Sequence, residues 1–328
     1  MSETPFLLGI DGGGTSTTAW LAAATDPTRI LGRGSAGPSN IRAVGNESGL
    51  ENLDRAIQAA FEDAGLPRSP VAAACFGLAG ADREADRRVI EEWASRIRLA
   101  QQVRVVNDAL PILYAADPAG CGVALIVGTG SLALGRNPDG RTFRAGGWGH
   151  LLGDEGSGYT LALAGLRAAA RSADGRLPPT SLLPRFLQAL DRTDPTGLVT
   201  AIYHPDMDRT RIASFATVVF EAAESGDSLA LRIINEAALE LVEMIAAVVR
   251  QLDFPVEDFP LALTGGVILN QPLLREACQG LLLRRSLPFR EVRNFPHPVA
   301  GALVLAAQSF QDQNRNGPAE NLNESSQL

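Results

Sequence analysis

Lysine is absent from this chain of 328 residues, and all 29 basic side chains are arginine. No lysine means no P-loop lysine for a nucleotide phosphate and no Schiff-base lysine for pyridoxal or aldolase chemistry. The arginine bias itself is read as genome composition and given no functional weight. Histidine is nearly missing: His150, His204 and His297 lie far apart. No HExxH or His-x-His pairing exists, which argues against a histidine-based metal site. Cys75, Cys121 and Cys278 are odd in number and widely spaced. They offer neither a disulfide framework nor a thiolate-held zinc or iron–sulfur site, and the usage reads as intracellular.

Long apolar runs are also lacking. The first, Phe6 to Ile10, follows Glu3 and stops at Asp11, so it is no signal peptide. None approaches the ~18–20 residues that span a bilayer. Basic charge is not in excess, since the formal net charge is −8, and a nucleic-acid partner is not expected. What remains is a globular composition, 45% hydrophobic and 20% charged. Its length predicts two domains. The expectation is a soluble cytoplasmic protein with no membrane partner.

The pattern along the chain is α/β. Phe6–Ile10 reads as a buried strand, followed by a glycine turn, a β-branched strand from Thr15 to Ala22 and a third strand from Ile30 to Ser35. A loop at Gly37–Asn40 leads to a helix over roughly 47–64, which ends at Gly65 and Pro67. A strand over 71–76, a helix over 82–98 and a strand over 103–106 follow, then Asn107-Asp108 and a further helix. Residues 116–121 read as a boundary, which sets an N-terminal domain at 1–117 and a C-terminal domain at 118–310. The pattern then partly restarts, with a strand at 122–127, a glycine turn, and strands near 132–134 and 142–144. A long helical stretch broken at Pro178, Pro184 and Pro205 follows, with one long helix over 229–251 and a strand at 261–263. Helices near 272–283 and 299–308 finish the fold, the last able to pack back on the first domain, and residues 311–328 read as a disordered tail. This weak duplication predicts two like domains facing one cleft.

Three glycine turns carry the candidate chemistry: Asp11-Gly12-Gly13-Gly14-Thr15, Gly128-Thr129-Gly130-Ser131 and Thr264-Gly265-Gly266. Glycine lets backbone N–H groups approach an anion, and the adjoining hydroxyls add donors. Such turns also close hairpins with no ligand at all. Asp11, at a strand end, suits a hydrated magnesium ion. Asp108, just past another strand end, suits a base and equally a helix N-cap. Gly32-Arg33-Gly34-Ser35-Ala36-Gly37 matches a dinucleotide fingerprint literally. Pro38 follows where that fingerprint needs a helix, so it is discounted.

These turns, together with Asn107-Asp108, Gly146-Gly-Trp-Gly-His-Leu-Leu-Gly-Asp-Glu-Gly-Ser157 and Leu263-Thr-Gly-Gly266, occur in an order that resembles the N-acetylglucosamine kinases. Those kinases sit in the BadF/BadG/BcrA/BcrD ATPase branch of the sugar kinase, heat-shock chaperone and actin superfamily. The resemblance spans roughly residues 6–308 and implies two ribonuclease-H-like domains flanking a nucleotide cleft that binds ATP and magnesium. It implies that Gly12, Gly13, Gly14 and Thr15 hold the terminal phosphates and that Asp11 places the metal through water. Gly128 and Thr129 would form the second phosphate turn, with Gly265, Gly266 and Ala213 lining the adenosine pocket. Asp108 would accept the proton of the sugar 6-hydroxyl. Asn40, Ser131, Gly147, Trp148, Gly149 and Asp154 would join it in binding the sugar. On the residues alone Trp148 equally suits a core, His150 reads as structural, and Glu155 suits the start of a helix. Leu132 stands where vertebrate-type relatives carry an asparagine near the sugar, so glucosamine, N-acetylmuramate and glucose stay open beside N-acetylglucosamine. A homodimer is usual for such kinases.

Two rival readings come from the same scaffold. One is an activator ATPase of a radical dehydratase, which would need cysteines presented to an iron–sulfur cluster between subunits. The other is a non-catalytic sensor, which would be expected to lose Asp108 and, if it regulated transcription, to carry a DNA-binding module before Phe6.

Overall fold

The computed structural model describes residues 5–316 apart from Asp82 and Phe254. The chain divides into two units. The first runs up to Ala115 and takes in the chain from Pro298 onward, while the second runs from Ala116 to His297.

The first unit is built on a sheet of β1 (Phe6–Gly12), β2 (Thr17–Ala23), β3 (Asp26–Ala36), β4 (Val71–Leu78) and β5 (Ala100–Asn107). Its helices are α1 (Ile41–Val44), α2 (Asn46–Asp63), α3 (Glu84–Arg96) and α4 (Leu110–Ala116), the last ending at the division between the units. The second unit carries β6 (Gly122–Val127), β7 (Ser131–Arg136), β8 (Thr142–Gly146), β9 (Pro260–Thr264) and β10 (Glu291–Asn294). Its helices are α5 (Gly158–Ala173), α6 (Leu182–Ala189), α7 (Gly197–Ile202), α8 (Arg209–Ser214), α9 (Ala216–Glu224), α10 (Ser228–Leu252), α11 (Gly266–Asn270) and α12 (Pro272–Arg284). The last helix, α13 (Val299–Asn316), belongs to the first unit.

The two sheets share one topology. Their orders are β3-β2-β1-β4-β5 and, reversed, β8-β7-β6-β9-β10. In each, the first three strands form an antiparallel meander and the last two add parallel to the first strand. The pattern duplication in the sequence is therefore a duplication of topology, and the fold is the α/β arrangement expected. β10 completes the second sheet and escapes sequence reading, because its four residues, Glu-Val-Arg-Asn, are exposed or half-buried with no apolar alternation. Pro184 does not break the helical stretch, since it sits in the first turn of α6, where its missing N–H is harmless. The expected unstructured tail is helical from 311 to Asn316, as the last part of α13. Beyond that, the expectation lies outside the described residues.

The first sheet is covered on both faces, which explains why β4 is buried along its whole length. Leu8, Ile10, Leu21 and Phe76 face Leu53, Ile57 and Phe61 of α2 and Trp93 of α3. Leu7, Trp20 and Cys75 face Tyr114 of α4 and Val299 and Leu303 of α13. The alternation of Leu7 and Leu8 across β1 is the period-two pattern of a strand buried from both sides.

Gly32 and Gly34, discounted as a phosphate fingerprint, have a packing role. A Cβ on Gly34 would lie 2.0 Å from the Ala56 carbonyl, and one on Gly32 would lie 2.0 Å from that of Ala60. α2 therefore rests directly on the backbone of β3. We expect Gly34→Ala to destabilise by about 1–3 kcal/mol or more, because the clash is with backbone that cannot rotate away. Thermal melts of the ligand-free protein check this, and an unchanged melting temperature would show that α2 can back off freely.

Candidate active site

Parallel strands bring residues distant in sequence to one sheet edge. In the first unit Asp11 pairs with Gly77 of β4, and Leu78 pairs with Asn107 of β5. Asp11 at the end of β1 and Asp108 just past β5 therefore lie at the same carboxyl-end edge, on the two parallel strands that flank β4, the usual location of ligand sites in α/β sheets. Burial, with the nearby negative charge of Asp108 adding to it, pushes the Asp11 carboxyl from 3.8 up to about 7. Two carboxylates held this way form an acidic pair that a divalent cation would relieve, so the residues fit a magnesium ion. The turn beyond β5 has its own support: the Ala109 N–H donates to Asn107 Oδ1 at 2.9 Å.

The first glycine turn closes the β1–β2 hairpin. Gly13 N–H donates to the Ser16 carbonyl at 2.9 Å, and the Gly13 carbonyl accepts from the N–H groups of Ser39 and Asn40 at 3.1 and 3.2 Å. Gly14 and Thr15 stand exposed at the tip, with open space beside the Gly14 Cα. Asn40 is thereby fastened beside the turn. Its side chain caps α1, accepting from the Arg42 N–H at 3.1 Å. Ser39 was not anticipated. It is buried, its Oγ makes no hydrogen bond, and a Cβ on Gly12 would lie 2.1 Å from that oxygen.

In the second unit the glycine turns follow β6 and β9, again neighbouring parallel strands. The Gly158 N–H donates to the Gly128 carbonyl at 2.8 Å. A Cβ on Gly158 would lie 3.2 Å from the Ala213 carbonyl, and one on Gly128 would lie 4.0 Å from the Gly266 nitrogen. Gly128, Gly266 and Ala213 therefore converge where α5, α8 and α11 begin or end. Gly265 has a φ of +100°, and a Cβ there would lie 2.4 Å from the Val127 carbonyl oxygen, a geometry no side chain tolerates. Thr129 is half-buried in the middle of its turn.

A second cluster centres on Asp154, which is 3% exposed and has a φ of +62°. The Ser131 N–H donates to Asp154 Oδ1 at 3.2 Å, Ser131 Oγ donates to the Glu155 carbonyl at 2.6 Å, and the Gly147 N–H donates to the Ser131 carbonyl at 2.9 Å. Asp154 Oδ2 makes no hydrogen bond and lies 3.4 Å from Arg209 Nη2. Leu132 packs beside Gly147, with its Cβ 3.2 Å from where a Gly147 Cβ would sit. The structure thus brings together Ser131, Gly147 and Asp154, but not Trp148 or Gly149 in the same way. Trp148 is 67% exposed and lies beneath Arg144, whose Cζ is 5.7 Å from the ring. It is no core residue. His150 is exposed and packs edge-on against Tyr159, with ring centroids 5.2 Å apart. Arg209 was missed, because nothing local distinguishes it from the other arginines.

The chain belongs to the BadF/BadG/BcrA/BcrD ATPase family, whose sequence profile matches residues 8–306. It is similar to the N-acetylmuramic acid/N-acetylglucosamine kinase of Clostridium acetobutylicum, at 36% identity over 81% of this chain and 86% of that protein. It is also 32% identical to the N-acetyl-D-glucosamine kinase of Dictyostelium discoideum, over 94% of this chain and 99% of that one. Among solved structures, a Chromobacterium violaceum protein named as a candidate N-acetylglucosamine kinase matches with a TM-score of 0.74 and 26% identity, over 93% of this chain and 99% of that one. A glucokinase of Streptomyces griseus shares the fold, with a TM-score of 0.59 at 20% identity over 92% and 99% of the two chains. The two ribonuclease-H-like sheets are thus those of the actin-like ATPases and sugar kinases.

Proposed function

We propose that this protein transfers the γ-phosphoryl group of ATP to the 6-hydroxyl of an amino sugar, N-acetylglucosamine, yielding ADP and the 6-phosphate. At the coarser level the chain is an ATP-dependent sugar kinase. The observation that carries the chemistry is the Asp11–Asp108 pair. Phosphoryl transfer asks for alignment, charge neutralisation and a proton acceptor. Asp108 takes the proton from the 6-hydroxyl as its oxygen bonds to the γ-phosphorus and the bond to the β–γ bridging oxygen breaks. Asp11 would hold magnesium through water, and the ion would supply neutralisation of the phosphate charge. Gly12–Thr15 and Gly128–Thr129 offer N–H and hydroxyl donors to the phosphates, and Gly265, Gly266 and Ala213 receive the adenosine. Asn40, Ser131, Gly147, Trp148, Gly149 and Asp154 bind the sugar together with Asp108.

The choice of sugar is supported by the two curated relatives, both with N-acetylglucosamine in their names. Arg144, beside Trp148, supports acidic N-acetylmuramate as a second acceptor. Against an activator role, all three cysteines are buried, and burial pushes the thiols of Cys75 and Cys278 up to about 12. A cytoplasmic location and a homodimer belong to the same proposal. No helix among the described residues is long and apolar enough to cross a membrane.

An ADP-release assay with ATP and magnesium tests the reading across N-acetylglucosamine, glucosamine, N-acetylmuramate and glucose. The highest kcat/KM is expected on N-acetylglucosamine, and silence on all four with nucleotide still bound would overturn a sugar kinase. We expect Leu132→Asn to lower the KM for N-acetylglucosamine relative to glucosamine by about 3–10-fold, the worth of one added hydrogen bond. An unchanged ratio would mean that Leu132 does not face the acetamido group.

A further inference from the structure

Asp154 is an unusual place to keep a charge. The side chain is nearly inaccessible, its backbone has positive φ without being glycine, and only Oδ1 is hydrogen-bonded. A buried carboxylate oxygen without a donor is costly unless a countercharge or a ligand completes it. The countercharge present is Arg209, which comes from α8 and not from the loop that carries Asp154. Gly130 makes room for the pair: a Cβ there would lie 2.8 Å from both Arg209 Nη2 and Asp154 Oδ1. At 3.4 Å the guanidinium neutralises Oδ2 without donating a hydrogen bond to it, so the acceptor capacity of that oxygen stays open.

We propose that Arg209 is a positioning residue for sugar recognition, holding the Asp154 carboxylate in the orientation that presents Oδ2 to a substrate hydroxyl. The inference rests on the sugar-kinase reading above, in which Asp154 binds the sugar. Arg209 acts on the sugar only through Asp154. The Ser131 N–H pins one oxygen, the guanidinium sets the other, and the plane of the carboxylate is thereby defined. Arg209 is 41% exposed on its side chain, so its replacement does not open a buried cavity.

The same helix supplies the control. α8 also carries Ala213, whose carbonyl packs at Gly158 beside the Gly128 turn. A substitution that merely displaced α8 would disturb the nucleotide side as well as the sugar side. Steady-state kinetics of Arg209→Gln and Arg209→Lys with N-acetylglucosamine, ATP and magnesium separate the two. We expect Arg209→Gln to raise the sugar KM about 10–100-fold, as when a polar contact to substrate is lost, with kcat at saturating sugar and the KM for ATP within about 3-fold of wild type. Arg209→Lys keeps the charge without the planar fork and is expected to fall between the two. Equal rises in both KM values, an unchanged sugar KM, or a lysine variant no better than the glutamine variant would each overturn the proposal. If Arg209→Gln does not fold, Arg209→Lys alone decides, by a sugar KM that rises while the ATP KM holds. A wild-type protein inactive on all four sugars would instead overturn the kinase reading, so the two failures are distinguishable.

Discussion

Asp108→Asn is expected to lower kcat on the preferred sugar by about 10³-fold, within the 10²–10⁴ typical of a lost general base. The fall corresponds to roughly 4 kcal/mol of transition-state stabilisation. Nucleotide affinity, read by calorimetry with a non-hydrolysable ATP analogue and magnesium, should stay within about 3-fold, because the asparagine preserves shape and takes away only the charge and its proton affinity. The turn after β5 also has a bond independent of the Asp108 charge, from the Ala109 N–H to Asn107 Oδ1, so the fold is expected to hold. Simultaneous loss of nucleotide binding and of melting temperature would instead make Asp108 a structural residue.

Asp11→Asn should act in opposite directions on activity and stability. Activity is expected to fall by two orders of magnitude or more, since a neutral amide is a poor partner for a hydrated magnesium ion. Stability of the ligand-free protein should rise, and only at higher pH. Burial first, then Asp108, raise the Asp11 carboxyl from 3.8 to about 7. A group with a raised folded value binds its proton more tightly when folded. The wild type therefore carries no penalty below about pH 4, loses stability as pH climbs from 4 to 7, and shows the full penalty above 7. A move from 3.8 to about 7 amounts to at most about 4 kcal/mol, reduced to roughly 1–2 kcal/mol because Asp11 keeps some contact with water. The Asp11→Asn variant should thus melt about 1.5–3 °C above wild type at pH 8 and close to it at pH 4.5. Magnesium should raise the wild-type melting temperature at pH 8 and leave the variant unmoved. Equal melting temperatures across that pH range would mean that Asp11 ionises as an ordinary surface carboxylate.

Much of the fold is legible along the chain because its signals are local. The apolar run Phe6–Ile10, the glycine runs after β1 and β6, and the helical periodicity of α2 and α10 are all near-neighbour patterns, and each element forms about where the pattern places it. The boundary misreadings share one cause. Pro184 and the residues up to Asn316 have weak local signals, and their helical state depends on where in a helix they fall. β10 has too few residues for alternation to speak and exists because β9 offers it an edge. Gly32 and Gly34 matched a motif whose glycines serve phosphate, while here they admit a helix backbone.

By itself the sequence determined the α/β class, the duplicated strand pattern, the three glycine turns and the order of motifs that places the chain in its family. Each depends on residues adjacent or nearly adjacent in the chain, where backbone sterics and side-chain period act directly. Only the tertiary structure decided that α13 covers the sheet of the first unit, that Asp11 and Asp108 share one strand-end edge, and that Arg209 meets Asp154 across Gly130. Those pairings join residues far apart in the chain. What makes them is the parallel addition of β4, β5 and β9 and the packing of helices against them, and no local pattern in the sequence records which distant partner a buried charge will find.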